Sequence, residues 1–196
     1  MPGRLRIDQV TVANRDGAYS ATSHLIQLGH KRIAMINGSL EFSTARERQS
    51  GYEDALRDAG LPLDKSLVRH CEWRQAAGHS AMQHLLDMAC PPTAVFAGSN
   101  LLTLGALQAI HERALDIPGQ VAIVCFDYMP WAGFLPPPLT TVEEPAFEVG
   151  RTAAEWPLDH VQKPHIPWRH VVLETRLIIR SSCGAESAKQ EVVAHL

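Results

Sequence analysis

Arg46 and Arg48 stand two apart in the stretch FSTARERQSGY (42–52), directly after the apolar run RIAMIN (32–37). Residues two apart on a helix do not share a face. One guanidinium therefore faces inward and the other away; Arg48 is placed toward the strand ends, and Arg46 toward the turn or solvent. Two further apolar runs end in polar groups. TAVFA (93–97) is followed by Gly98-Ser99-Asn100, and VAIVCF (121–126) by Asp127. Phe42, Trp73 and Trp131 add aromatic surface nearby. An Arg fork donates two fixed hydrogen bonds. A carboxylate accepts from adjacent hydroxyls in charge-assisted bonds. An aromatic ring covers the apolar face of a sugar. This set suits a polyhydroxylated small molecule. Each residue also has a plainer reading. Asp127 caps the loop after its strand, Ser99 or Asn100 caps the following helix, and Trp73 belongs to the core.

Other chemistries lack their signatures. There is no GxxxxGK phosphate loop and no GxSxG elbow. His79 and His84 are five apart on one helical stretch, hence on different faces, and His165 and His170 sit on a proline-broken stretch. No HExxH or Cys/His cluster has ligand spacing. The expectation is a binding protein without metal, cofactor or catalysis. Cys71, Cys90, Cys125 and Cys183 form no CxxC pair and read as free thiols in a reducing cytoplasm.

The elements that must hold these residues are legible as alternation. Of 196 residues, 45% are hydrophobic and 20% charged, an ordinary globular balance. Apolar runs at 8–14, 32–37, 66–70, 93–98, 120–127 and 139–142 predict strands. Amphipathic stretches at 17–30, 46–59, 76–89 and 101–115 predict helices between them. Continuous apolar runs mark strands buried on both faces. The chain therefore reads as α/β, with a parallel sheet covered by helices on both sides. In such sheets the ligand site lies outside the carboxyl ends of the strands, which is where Arg48, Ser99, Asn100 and Asp127 fall. A net charge of −3 supplies no positive field for nucleic acid. No apolar run is long enough to span a membrane. The opening MPGRLRIDQVTVANRDG has no secretory h-region, so a cytoplasmic protein is expected.

Five blocks in order carry a family resemblance: DGAYSATSHLIQLGHKRIAMINGS, ARERQSGYEDALRDAGL, PTAVFAGSNLLTLGALQAIHERALDIPGQVAIVCFD, PPLTTVEEPAFEVGRTAAE and RSSC. Over residues 8–183 the chain resembles lactose-repressor/galactose-repressor transcription regulators. The resemblance implies the fold of periplasmic sugar-binding proteins, two lobes with doubly wound sheets clamping a small effector. Residues 31–142 would be a complete carboxyl-terminal lobe. Residues 1–30 and 143–183 would be a remnant of the amino-terminal lobe, and 184–196 a flexible tail. The helix-turn-helix reader has no counterpart, so a truncated regulator is expected, meeting operator DNA only through that missing domain.

The resemblance implies effector contacts from Arg48, Trp73 and Asp127, with Ser99-Asn100 where the family commonly has Asn-Asp. Phe42 joins this set as a neighbouring aromatic. It also implies a homodimer using the region of Leu101, Leu104, Trp131 and Phe134. Tyr128 replaces a frequent second Asp. Pro157 interrupts a helix that the family runs unbroken, so a kink or early stop is expected. The alternative reading is a stand-alone sugar-binding protein of the transport type, since one fold serves both roles.

Overall fold

A computed structural model of the chain describes residues 7–127, 129–163 and 165–185. Its elements run β1 (Gln9–Val12), α1 (Asn14–Gln27), β2 (Ile33–Gly38), α2 (Ser43–Asp58), β3 (Val68–Cys71), α3 (Gln75–Leu86) and β4 (Ala94–Ala97). They continue with α4 (Asn100–Glu112), β5 (Ala122–Phe126), β6 (Thr140–Glu143), α5 (Ala146–Gln162), β7 (His170–Leu173) and β8 (Arg176–Ile178).

Six strands form one sheet in the order β3-β2-β4-β5-β6-β8. The first five are parallel and β8 is antiparallel to β6. Every residue of β2, β4 and β5 is buried, as continuous apolar runs require. On one face α1 and α2 cover Ile33, Met35, Phe96 and Val124 with Ala18, Leu25, Tyr52 and Leu56. On the other, α3 and α4 cover Ala34, Ile36, Val95 and Ile123 with Met82, Leu85, Leu102 and Ile110. Alternate residues of each strand thus feed two cores, the expected doubly wound arrangement. β2 and β4 are neighbours, yet α2 leaves to one face and α4 to the other. The chain reverses its winding between them, and that reversal opens a crevice at their carboxyl ends.

β1 and β7 pair in parallel as a separate two-stranded sheet, from Gln9 opposite His170 to Val12 opposite Leu173. α5 packs against β1.

Three expectations differ from this structure. The division at residues 30 and 143 does not follow the packing. α1 lies on the six-stranded sheet because Ala18, Ala21 and Leu25 form a fully buried stripe beside α2. Residues after 175 also join that sheet: β8 extends its edge, and Ser182 Oγ donates to the Ile123 carbonyl at 2.7 Å. What stands apart is β1, β7 and α5. Second, of the kink or early stop expected at Pro157, the early stop is absent, and α5 runs through Pro157 to Gln162. None of its residues is buried, so solvent reaches the carbonyl that lacks an amide partner. Third, α1 and α2 each begin three residues earlier than the apolar spacing indicates, at Asn14 and Ser43. The expected tail at 184–196, except residues 184 and 185, and Tyr128 lie outside the described residues.

Candidate functional site

Arg48 sits in the second turn of α2. The start of that helix is fastened to the end of β2, where Asn37 Nδ2 donates to the Ala45 carbonyl at 2.8 Å. The Arg48 side chain then reaches across the crevice. Nε donates to Asn14 Oδ1 at 2.9 Å, and Nη1 donates to Asp127 Oδ1 at 3.1 Å and to the Gly98 carbonyl. The guanidinium lies over the Phe126 ring, 3.7 Å from its centroid, a cation–π contact. Arg48 is only 6% exposed. Burial pulls its pKa down, and the nearby Asp127 and Glu144 carboxylates push it back up. One guanidinium therefore ties together α1, the end of β4 and the end of β5.

Asp127 follows β5 with φ at +87°, a left-handed conformation that is uncommon for a residue with a Cβ. The turn aims its carboxylate two ways. Oδ1 meets Arg48, and Oδ2 accepts from the Asn100 backbone N–H at 3.0 Å. Ser99 is the N-cap of α4, its Oγ accepting from the Leu102 N–H at 3.3 Å. Asn100 opens that helix with an exposed side chain. Trp73, half-buried after β3, lays its ring against Gly38, the last residue of β2. A Cβ at Gly38 would overlap the indole.

These residues line one open cleft. Thr44, Arg48, Trp73, Ser99, Asn100, Leu101 and Asp127 surround about 250 Å³. Five of the six expected contact residues are thus brought together. Phe42 is not: it is the N-cap residue of α2, 52% exposed, and absent from the cleft lining. Arg46 turns outward and ties the turn, its Nη1 donating to the carbonyls of Leu40 at 2.6 Å and Glu41 at 2.9 Å. Of the residues expected at a dimer face, Leu101 opens onto the cleft, Leu104 and Trp131 are half-buried, and Phe134 is 88% exposed.

A second cavity of about 280 Å³ adjoins the first and shares Thr44 with it. β1 contributes Val10 to Val12, α2 contributes Ser43 and Glu47, and Asn14 and Glu144 complete its polar wall. Asn14 is buried and links both cavities, donating through Nδ2 to Glu47 Oε2 at 3.0 Å and to the Val12 carbonyl at 3.1 Å. Glu144 is half-buried; desolvation lifts its carboxyl above the usual range, Asp127 adds to the rise, and Arg48 opposes it. Sequence reasoning missed Asn14, Glu47 and Glu144. Asn14 and Glu144 lie just past β1 and β6, so the rule that picks out Ser99 and Asp127 would also have found them. A more spacious cavity of about 340 Å³ lies between α4 and residues 135–139, but its walls are mostly aliphatic and share no residue with the two cavities at the strand ends. Among the described residues no group of His, Cys, Asp and Glu has the makings of a metal site, and no helix is long and apolar enough to cross a membrane.

Residues 22–183 match the family model described as a periplasmic binding protein-like domain. The repressor CytR of Escherichia coli K12 is 37% identical over 181 residues, 92% of this chain and 53% of that protein. The ribose operon repressor of Haemophilus influenzae is 35% identical, covering 91% of this chain and 54% of its own length. The chain spans about half the length of the curated relatives it matches. Among solved structures, the regulator CelR in complex with cellobiose is 36% identical with a TM-score of 0.85, over 90% of this chain and 54% of that one. A LacI-type regulator of Bacillus cereus subsp. cytotoxis is 30% identical with a TM-score of 0.87, over 95% and 67%. The fold, the crevice at the strand ends and these matches agree: the chain belongs to the periplasmic-binding-protein-like family, in the form found in LacI-family transcriptional regulators.

Proposed function

We propose that this chain is the effector-binding module of a cytoplasmic transcriptional repressor, and that its effector is a sugar or similar small polar molecule. It is a sensor and not an enzyme. Operator DNA is met through a separate reader domain. The observation that carries this reading is the Arg48–Asp127 pair, held at 3.1 Å in the crevice where the sheet reverses its winding. Trp73 offers a ring beside it, and Asn100 an exposed amide. Related regulators were solved with cellobiose and with ribose bound, which supports a sugar-like ligand.

Calorimetric titration with a panel of sugars and nucleosides tests the reading. A ligand that binds the parent should bind Trp73→Ala and Asn100→Ala about tenfold or more weakly, through loss of stacking and of amide hydrogen bonds. Equal affinity in both variants would move the site elsewhere. The proposal extends to a homodimer through the face bearing Leu104, Trp131 and Phe134, supported by the 88% exposure of Phe134. Sedimentation velocity should show Phe134→Asp shifted toward monomer; an unchanged distribution would remove this face from the assembly.

A further inference from the structure

We propose that the cleft selects its ligand by charge, taking a neutral polyhydroxylated or amine-bearing molecule and rejecting phosphorylated and other anionic ones. The inference rests on the ligand-binding reading above and narrows it.

The two adjoining cavities share Thr44, so ligand space runs from Trp73 toward Glu144. Among the described residues lining them, Arg48 is the sole lysine or arginine, while Glu47, Asp127 and Glu144 are carboxylates. Arg48 is already committed on several sides. Asn14 takes Nε, Asp127 and the Gly98 carbonyl take Nη1, and Phe126 covers one face. Anions are held by free guanidinium forks or by free helix N-termini. The N-terminus of α4 lies at the cleft, but the protein's own groups take two of its first-turn amides. Asn100 N–H donates to Asp127 Oδ2, and Leu102 N–H donates to Ser99 Oγ. The first turn of α2 has no side-chain cap. It contributes about half a positive charge, against full carboxylates at Glu47 and Glu144.

A phosphate entering this space would meet three carboxylates and a single guanidinium whose Nε and Nη1 the protein already uses, leaving one N–H edge, Nη2, against them. Hydroxyls and ammonium groups are donors, and the oxygens of Glu47, Asp127 and Glu144 are acceptors. Glu144 is the freest of these three: no hydrogen bond to its side chain is formed within the described chain, whereas Glu47 accepts from Asn14 and Asp127 from Arg48 and Asn100. Its desolvated carboxyl gains most from a ligand donor. A unit charge ~10 Å away at an effective dielectric of ~20 changes affinity by about tenfold.

The test is calorimetric titration of the full chain at low ionic strength with matched probes. The pairs are glucose with glucose 6-phosphate and adenosine with adenosine 5′-monophosphate, with glucosamine as the amine-bearing probe. The neutral or amine-bearing probe should bind at least about tenfold more tightly than its phosphorylated partner. The gap should narrow at ~1 M NaCl, where screening is strong. Glu47→Gln combined with Glu144→Gln should shrink the ratio at least about threefold. Glu112→Gln, beside His79 near the far end of α4, should leave the ratio alone. If the double variant fails to fold, Glu144→Gln alone carries the comparison. Equal or tighter binding of a phosphorylated probe, or a ratio unmoved by the Gln variants, overturns charge selection while leaving the ligand-binding reading intact. Absence of binding by every probe at millimolar concentration overturns that reading and the inference with it.

Discussion

At the scale of single residues, the cleft depends on what is small and on what is charged. Gly38 has an ordinary strand conformation, and its value is the missing Cβ, since the Trp73 ring occupies that space. Gly38→Ala should therefore displace the half-buried indole more readily than it disturbs the sheet. The expected result is a stability loss at the low end of the ~1–3 kcal/mol typical of overpacking, with about tenfold weaker ligand binding. Thermal melts and titration on one sample would separate the two effects; a large loss of stability with unchanged affinity would contradict the account. Glu144 gives a pH-dependent prediction. Its carboxyl is held above the ordinary value near 4.5 by burial and by Asp127. A raised carboxyl pKa means that the folded state prefers the protonated form. Below about 4.5 both states are protonated and nothing is lost; as pH rises through the folded value, ionisation in the unfolded chain draws stability away. Glu144→Gln should thus raise the melting temperature at pH 7, and the gain should fade on acidification toward pH 4. A gain that grows at low pH would contradict the burial argument.

At the scale of elements, close backbone approach matters more than any one side chain. α3 and α4 cross where Gly78 and Gly105 face each other's backbone, and α1 meets α2 at Gly51. A Cβ at Gly105 would strike the Gln75 carbonyl and the His79 amide, which cannot swing away as a side chain can. Gly105→Ala should force the helices apart and destabilise by about 1–3 kcal/mol or more. Urea unfolding should show a lower midpoint at unchanged slope; no change in midpoint would mean that the crossing is looser than it looks. This kind of contact is not legible in one sequence, where Gly105 reads only as a weak point in an apolar helix. The strands β2, β4 and β5 were legible because burial on both faces demands continuous apolar runs. Arg48 and Asp127 were legible because parallel strands deliver their next residues to one rim. Phe42 was misplaced because aromatic type alone says nothing about direction at a helix N-cap. Ser99 caps α4, as its position before an apolar helix indicates, and the cap uses its oxygen as an acceptor while leaving its O–H as a donor. The early start of α1 was missed because Asn14 is anchored by long-range partners, Arg48 and Glu47, that no local pattern reveals.

At the scale of the whole molecule, the chain divides into parts of unequal strength. The six-stranded sheet is sandwiched between two apolar cores. The unit of β1, β7 and α5 has no comparable interior: α5 buries no residue, and Phe147, Leu158 and Val161 are 76%, 62% and 79% exposed. Polar ties hold it instead. Asp8 accepts from the Arg169 backbone N–H at 2.7 Å and lies 3.0 Å from His160 Nε2, and Arg169 pairs with Asp159 at 2.8 Å while lying over Trp156. Partly exposed ion pairs each contribute only about 0–1 kcal/mol, far less than a buried apolar face. Local opening should therefore begin there. Amide hydrogen exchange should be at least about a hundredfold faster in β1, β7 and α5 than in β2, β4 and β5. Asp8→Ala should accelerate the first group and leave the second unchanged. The cleft lies on the boundary, because Asn14 joins the Val12 carbonyl of β1 to Arg48 and Glu47. A bound ligand that engages Glu47 and Glu144 should accordingly slow exchange in β1 as well as at the strand ends. Uniform protection across both parts, or a ligand effect confined to the six-stranded sheet, would show that the two units open as one or that the cleft stops short of β1.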